Sequence, residues 1–284
     1  MHDIIVGSEA LAAGTVTRHD LRRRYVQLHH NVYAPTRMTL TAHDRAYAAW
    51  LWSRRSATLA GLSAAAMHGS RWLPTEGPAE LTRVRCGSPP GIAIYRDALL
   101  DDEVCLVQSI DCTTVARTVF DIGRRIDGDE AVIRIDALLN ATRVPVDDVA
   151  VVASRHPGAR GIRRLRQVMT LVDGGAESPQ ETRLRLILVR AGFPRPRTQV
   201  PIVDEAGRVI RRIDIGWPEY GVGVEYDGQQ HWTDPRTHAE DINRLEFLAA
   251  HGWAIVRVSA RHMGDPAAVV ARVRAALLPR MHAL

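Results

Sequence analysis

The residues best equipped for chemistry gather in the last third of the sequence. The run RRIDIGWPEYGVGVEYDGQQHW, Arg211 to Trp232, reads as two strands joined by a tight turn. Side chains alternate along a strand, so Ile213 and Ile215 are expected on one face and Arg212 and Asp214 on the other. Beyond the breakers Pro218 and Gly221, Val222 and Val224 take one face, and Gly223, Glu225 and Asp227 the other. Asp214 and Glu225 are thereby expected near the ends of neighbouring strands, with Asp227 and His231 just beyond. Carboxylates converging from adjacent strands suit an oxygen-preferring divalent cation such as Mg²⁺ or Mn²⁺.

An Asp on one hairpin strand, a Glu on the next, then a helix and a closing strand resembles the PD-(D/E)xK restriction-endonuclease superfamily. The very-short-patch-repair endonuclease branch is the more similar part of it. ESPQE (Glu177 to Glu181), DIGWPE (Asp214 to Glu219), VEYDGQQH (Val224 to His231) and EDINRLEFLAAHGWAIVRV (Glu240 to Val258) carry the likeness. It implies a restriction-endonuclease-like αβββαβ domain with Glu181, Asp214, Glu225, Asp227 and His231 as catalytic candidates. Asp214, Glu225 and Asp227 would hold Mg²⁺ or Mn²⁺. Ser178, Pro179 and Glu181 also spell a helix start, so Glu181 has a capping role available as well. One departure matters. The motif's usual Lys, two residues after the second acid, is Asp227 here, and the chain contains no Lys at all. Arg stays protonated and cannot act as a general base. Proton transfer would fall to His231 or a metal-bound water, as the His-using repair branch implies. The same departure is compatible with a nuclease scaffold kept only for binding.

The elements around these residues come next. With 284 residues the chain is long enough for two or three domains, and 46% hydrophobic content argues for folded ones. No apolar run nears the roughly 20 residues of a membrane span, and no secretory signal pattern opens the sequence; a cytoplasmic location is expected. Cys86, Cys105 and Cys112 have neither zinc nor disulfide-framework spacing and read as buried free thiols. A net charge of +5 with pI near 9.5 is compatible with a polyanionic partner.

At the other end, Ile4 to Ala13 reads as a short helix, and Thr17 with Asp20 as the capped start of a second helix reaching Arg24. Tyr25 to Tyr33 alternates around His30 and Asn31, a hairpin. Helix, turn, helix, hairpin is the order of a winged helix, with Arg18, His19, Arg22 and Arg23 on the candidate recognition helix. A solvated helix face is the competing reading. The run is similar to the N-terminal winged helix of AbiEi-type antitoxins (LR…L…GVYAP), with Asn31 where Gly is usual. LAGLSAAAMHG and SIDCTTVARTVFDI extend that resemblance downstream. Thr41 to Arg55 is a second capped helix, and Ala57 to His68 an Ala-rich helical run. Leu81–Arg85, Ile92–Arg96 and Val104–Val107 are expected strands, and Thr113–Arg124 and Asp129–Asn140 helices. Two further helices flank Pro157 and Gly158. The second carries Arg160, Arg163, Arg164 and Arg166, candidates for phosphate contact at Arg163 and Arg164.

The expected organisation is a mixed α/β chain: a winged helix-turn-helix DNA-binding-like module at 1–73, an α+β connecting region at 74–172, and a nuclease-like domain at 176–284. Asp173 to Ala176 serves as linker. The expected function is a DNA-binding protein with a metal-dependent, endonuclease-like phosphodiesterase domain, linked to toxin–antitoxin systems, defence or repair. The alternative is a non-catalytic regulator or antitoxin on a degenerate nuclease scaffold. DNA is the expected partner, with a second copy or a cognate toxin-like protein as protein partners.

Overall fold

A computed structural model describes residues 3–83, 87, 89–228 and 245–282. The chain is mixed α/β and divides into two compact units, Met1–Val172 and Asp173–Leu284.

The first unit opens with strand β1 (Ile5–Val6), helices α1 (Gly7–Ala12) and α2 (Arg18–Arg24), and strands β2 (Tyr25–His29) and β3 (Val32–Pro35). These strands form an antiparallel sheet of order β1-β3-β2. The β2–β3 turn needs a left-handed residue, and Asn31 supplies it at φ +62°; Asn tolerates that region better than most non-glycine residues, so it serves where Gly is usual. α3 (Ala42–Trp52) starts at a Thr41–Asp44 capping box, as its sequence spells. It leads through β4 (Thr58–Leu59) and α4 (Gly61–Met67) to β5 (Ala79–Thr82), β6 (Ile92–Tyr95), β7 (Val104–Val107) and β8 (Ile110–Thr113). The second sheet has the order β6-β5-β4-β8-β7. β4 pairs with both β5 and β8, and one core joins Ala46, Ala49 and Leu59 to Leu81, Ile92 and Cys112. The unit ends in α5 (Val115–Arg125), α6 (Gly128–Thr142), α7 (Asp147–Arg155) and α8 (Ile162–Met169).

Two short strands, Ile5–Val6 and Thr58–Leu59, take residues from expected helices, and Ile110–Thr113 overlaps one at Thr113 alone. Pairing across the sheet decides their state, and two to four residues carry no readable period.

In the second unit, α9 (Pro179–Arg190) begins at the Ser178 cap. β9 (Arg197–Val203), β10 (Val209–Trp217) and β11 (Val222–Asp227) follow, then α10 at residues 245–250, β12 (Ala254–Ser259), α11 (Ala260–Met263) and α12 (Pro266–Met281). The sheet order is β12-β11-β10-β9, with β11–β12 parallel and the other pairs antiparallel. One core packs Ile215, Trp217, Val222, Val224, Val256 and Val258 against Leu184 and Leu188 of α9 and Val269, Val273 and Leu277 of α12. Trp217 is wholly buried and satisfies its indole N–H on Pro194 O at 2.8 Å. A second core joins Val200, Ile202 and Ile213 to Leu248. The Asp173–Ala176 stretch is tied to β9: Thr198 Oγ1 donates to Asp173 Oδ1 at 2.8 Å, and the Gly175 N–H reaches the same oxygen at 3.0 Å.

Candidate functional site

Asp214 lies where the central ladder of the second unit changes character. β10 and β11 pair through Trp217↔Val222, Gly216↔Gly223 and Ile215↔Val224, and Asp214 and Glu225 are the next residues along the two strands. There a side chain enters the ladder, because Asp214 Oδ2 accepts the Tyr226 N–H at 2.9 Å. On the other flank, the pairs Ile213↔Val200 and Ile215↔Thr198 set Gln199 opposite Asp214. Gln199 has φ +48°, a region non-glycine residues occupy sparingly and often at functional sites. Glu225 pairs in turn with Arg257 of β12. The row that holds Gln199 and Asp214 on one side and Glu225 and Arg257 on the other lies just past the last β10–β11 pair.

Strand alternation does not survive at this row. Ile215 packs with Leu184 and Leu188, whereas Ile213 packs with Val200 and Leu248. A Cβ placed on Gly223 would lie 2.7 Å from Ile213 Cγ2 and 2.8 Å from Ile255 Cδ1, so Ile213 lies on the Gly223 side. The two isoleucines therefore face opposite ways, contrary to the period-two expectation. The break falls at Asp214, whose carboxylate takes the Tyr226 N–H where a ladder carbonyl would otherwise serve.

The neighbouring acids have partners of their own. Asp227 Oδ2 accepts from Arg257 Nη2 at 2.8 Å. A guanidinium from β12 therefore stands beside Asp227, a charge partner that cannot act as a base. Glu181 does its capping work: it accepts from Ser178 Oγ at 2.8 Å and from the Glu177 N–H at 2.9 Å. It also accepts from Gln199 Nε2 at 3.1 Å, which joins the start of α9 to the Asp214 row. Glu225 is buried at 7% exposure. His231 lies outside the described residues. Among the described residues, no three His, Cys, Asp or Glu side chains gather closely enough to hold a metal ion. Asp227 is turned to Arg257 and one Asp214 oxygen takes the Tyr226 N–H, so Asp214, Glu225 and Asp227 are not gathered here as a ready-made Mg²⁺ or Mn²⁺ site.

In the first unit, α2 holds Arg18, His19, Arg22 and Arg23 on its exposed surface, and none of its residues is buried. Its start is rigid: Thr17 Oγ1 donates to Asp20 Oδ2 at 2.6 Å and accepts the Asp20 N–H at 3.1 Å. These hydrogen bonds, from the Thr17 hydroxyl first and its N–H second, hold the Asp20 carboxyl below its ordinary pKa. Of the downstream pair, Arg163 is exposed. Arg164 has another occupation: Nη1 donates to the Arg124 and Arg125 carbonyls at 3.1 and 3.3 Å, and Nη2 pairs with Asp127 at 2.7 Å. It closes the open carbonyls at the end of α5.

A buried polar network on α5 has no counterpart in the expectations. Arg117, 1% exposed, donates to Glu103 Oε2, to Asp121 Oδ2 at 3.2 Å and to Ala98 O at 3.0 Å. His156 Nε2 meets Glu103 Oε1 at 2.7 Å. Arg124 binds Asp121 Oδ1 at 2.7 Å and Asp97 Oδ2 at 2.5 Å. Burial pushes the Glu103 carboxyl up, but the hydrogen bond from His156, that from the Leu100 N–H and the Arg117 charge together take it below its ordinary value. The spacing Arg117, Asp121, Arg124 was readable as helix-face ion pairs; its burial was not. Arg185 on α9 is likewise 1% exposed, a burial its residue type gives no hint of.

No protein-family model matches the chain. No solved structure matches it. Two relatives from Mycobacterium tuberculosis strains, "Uncharacterized protein MT2308" and "Uncharacterized protein Rv2248", are each 30% identical over 164 residues. The match spans 56% of this chain and 60% of each relative.

Proposed function

We propose that this chain is a DNA-binding protein of the regulator or antitoxin kind whose second unit is a nuclease-like domain. The observation that carries the reading is α2. Its arginines are exposed, its start is locked by a capping box, and the β2–β3 hairpin follows it directly and joins β1. Strand, two helices and a hairpin returning to the first strand support a winged-helix reading, in which an exposed basic helix meets the duplex. Phosphate contacts by Arg18, Arg22 and Arg23 give salt-dependent affinity without sequence information. Binding of labelled duplex by the full chain over a range of salt tests this. Replacing Arg18, Arg22 and Arg23 together with Ala should weaken binding and flatten the log K versus log salt slope by about three, one per lost contact. An unchanged slope would return the helix to a solvated face.

A second reading, phosphodiester hydrolysis by the second unit, is favoured by one observation: the Asp214 carboxylate enters the ladder at the Tyr226 N–H, beside Glu225, and Glu181 is held by Gln199. Asp214→Asn keeps the shape and removes the charge. Supercoiled DNA nicking in the presence of Mg²⁺ or Mn²⁺ should then be lost while duplex affinity stays within about twofold, since the change touches no phosphate contact of α2. Wild-type chain that neither nicks DNA nor binds either cation in calorimetry leaves the regulator reading alone.

A further inference from the structure

Two of the cysteines are direct cross-strand partners. β7 and β8 pair antiparallel as Val104↔Thr113, Cys105↔Cys112, Leu106↔Asp111 and Val107↔Ile110. The register is pinned by a two-residue turn in which Gln108 and Ser109 have φ +51° and +65°, the left-handed pair that matches strand twist. Directly opposed residues in such a ladder have Cα atoms about 4.5–5.5 Å apart, within the roughly 4.4–6.8 Å that a disulfide spans. Opposed residues also share a face of the sheet. Cys112 is fully buried, Cys105 is half-buried, and both thiols are free.

We propose that Cys105 and Cys112 form an oxidation site that closes to a cross-strand disulfide, with a hydroperoxide as oxidant. The Cys105 thiol is the entry point because it lies on the outer strand of the order β6-β5-β4-β8-β7. Its sulfur takes one oxygen as the O–O bond of hydrogen peroxide breaks, one water leaves, and a sulfenic acid remains. The Cys112 sulfur then attacks the Cys105 sulfur. The S–O bond breaks, and hydroxide leaves as water with the Cys112 proton. Two thiols and one peroxide thus give one disulfide and two waters. The bond would fasten β7, whose Leu106 is 71% exposed, to the interior strand β8.

The environment also sets the tempo. Burial pushes the Cys105 thiol up and the Cys112 thiol up to about 12. Only the thiolate reacts, so closure by peroxide should be slow at neutral pH and accelerate roughly tenfold per pH unit toward the thiol pKa.

Cys86 lies outside the described residues, so the test uses the full chain carrying Cys86→Ser. The chain is treated with hydrogen peroxide or, separately, with diamide, alkylated while denatured, and digested with trypsin. Both cysteines fall in one peptide, bounded by Arg96 and Arg117. The expected product is that peptide lighter by two hydrogens and unalkylated, restored to double alkylation by dithiothreitol, forming faster at higher pH, and absent in Cys105→Ser. A peptide doubly alkylated after both oxidants would overturn the proposal. So would a sulfinic acid at Cys105 beside alkylated Cys112, or cross-linking only between chains.

Discussion

Replacing Arg117 with Met preserves length and most apolar volume while deleting the one charge that two buried carboxylates share. Glu103 and Asp121 are 1% and 0% exposed beside it, so neither gains water when the guanidinium goes. Removing one partner of a buried ion pair costs about 3–5 kcal/mol, mostly the penalty of the charge left behind. The folded-to-unfolded ratio of the first unit should therefore fall by roughly a hundred- to a few-thousand-fold. Urea unfolding of the full chain, followed by far-ultraviolet circular dichroism and tryptophan fluorescence, measures this as a shifted midpoint. Adding Glu103→Gln to Arg117→Met neutralises the acid that has lost its arginine and should recover part of the loss, while Asp121 keeps Arg124 at 2.7 Å. The pH profile gives an independent arm. In the wild type the folded Glu103 pKa lies below its ordinary 4.5. Its contribution is therefore full above that value and is lost as pH falls through the lower folded value. In the variant the acid loss should begin at higher pH. A single variant destabilised by under about 1 kcal/mol, the range of surface pairs, with an unmoved acid limb, would refute the assignment of this network as a buried, charge-balanced unit.

Thr41→Ala removes the hydroxyl that accepts the Asp44 N–H at 3.1 Å and donates to Asp44 Oδ2 at 2.6 Å; a loss of about 0.5–2 kcal/mol in urea unfolding is expected. Gly223→Ala forces a methyl against Ile213 and Ile255 at 2.7 and 2.8 Å. It should cost about 1–3 kcal/mol, and a neutral result would mean β10 and β11 separate freely beside Asp214.

What the sequence determined by itself is local. The capping pairs Thr17 with Asp20, Thr41 with Asp44 and Ser178 with Glu181 are legible because each interaction closes within one helical turn. The β2–β3 hairpin around Asn31 and the β10–β11 hairpin through Pro218 and Gly221 are legible for the same reason: the turn residues and the alternation lie side by side. Asp214 and Glu225 as near neighbours also follow from the hairpin, since strands joined by so short a turn must pair.

The tertiary structure decided everything that depends on distant partners. Thr58–Leu59 and Ile110–Thr113 become strands because the sheet offers them ladders on either side. Arg117 and Arg185, the same residue type as the exposed Arg22, are buried because surrounding elements close over them. Ile213 and Ile215 part company because Asp214 and Gln199 interrupt the alternation that pattern alone assumes. Asp227 meets Arg257 thirty positions away, and that pairing, rather than the run VEYDG, decides what its carboxylate is available to do. An ion pair or a strand partner is chosen by proximity after folding, and a linear pattern contains only the spacing before it.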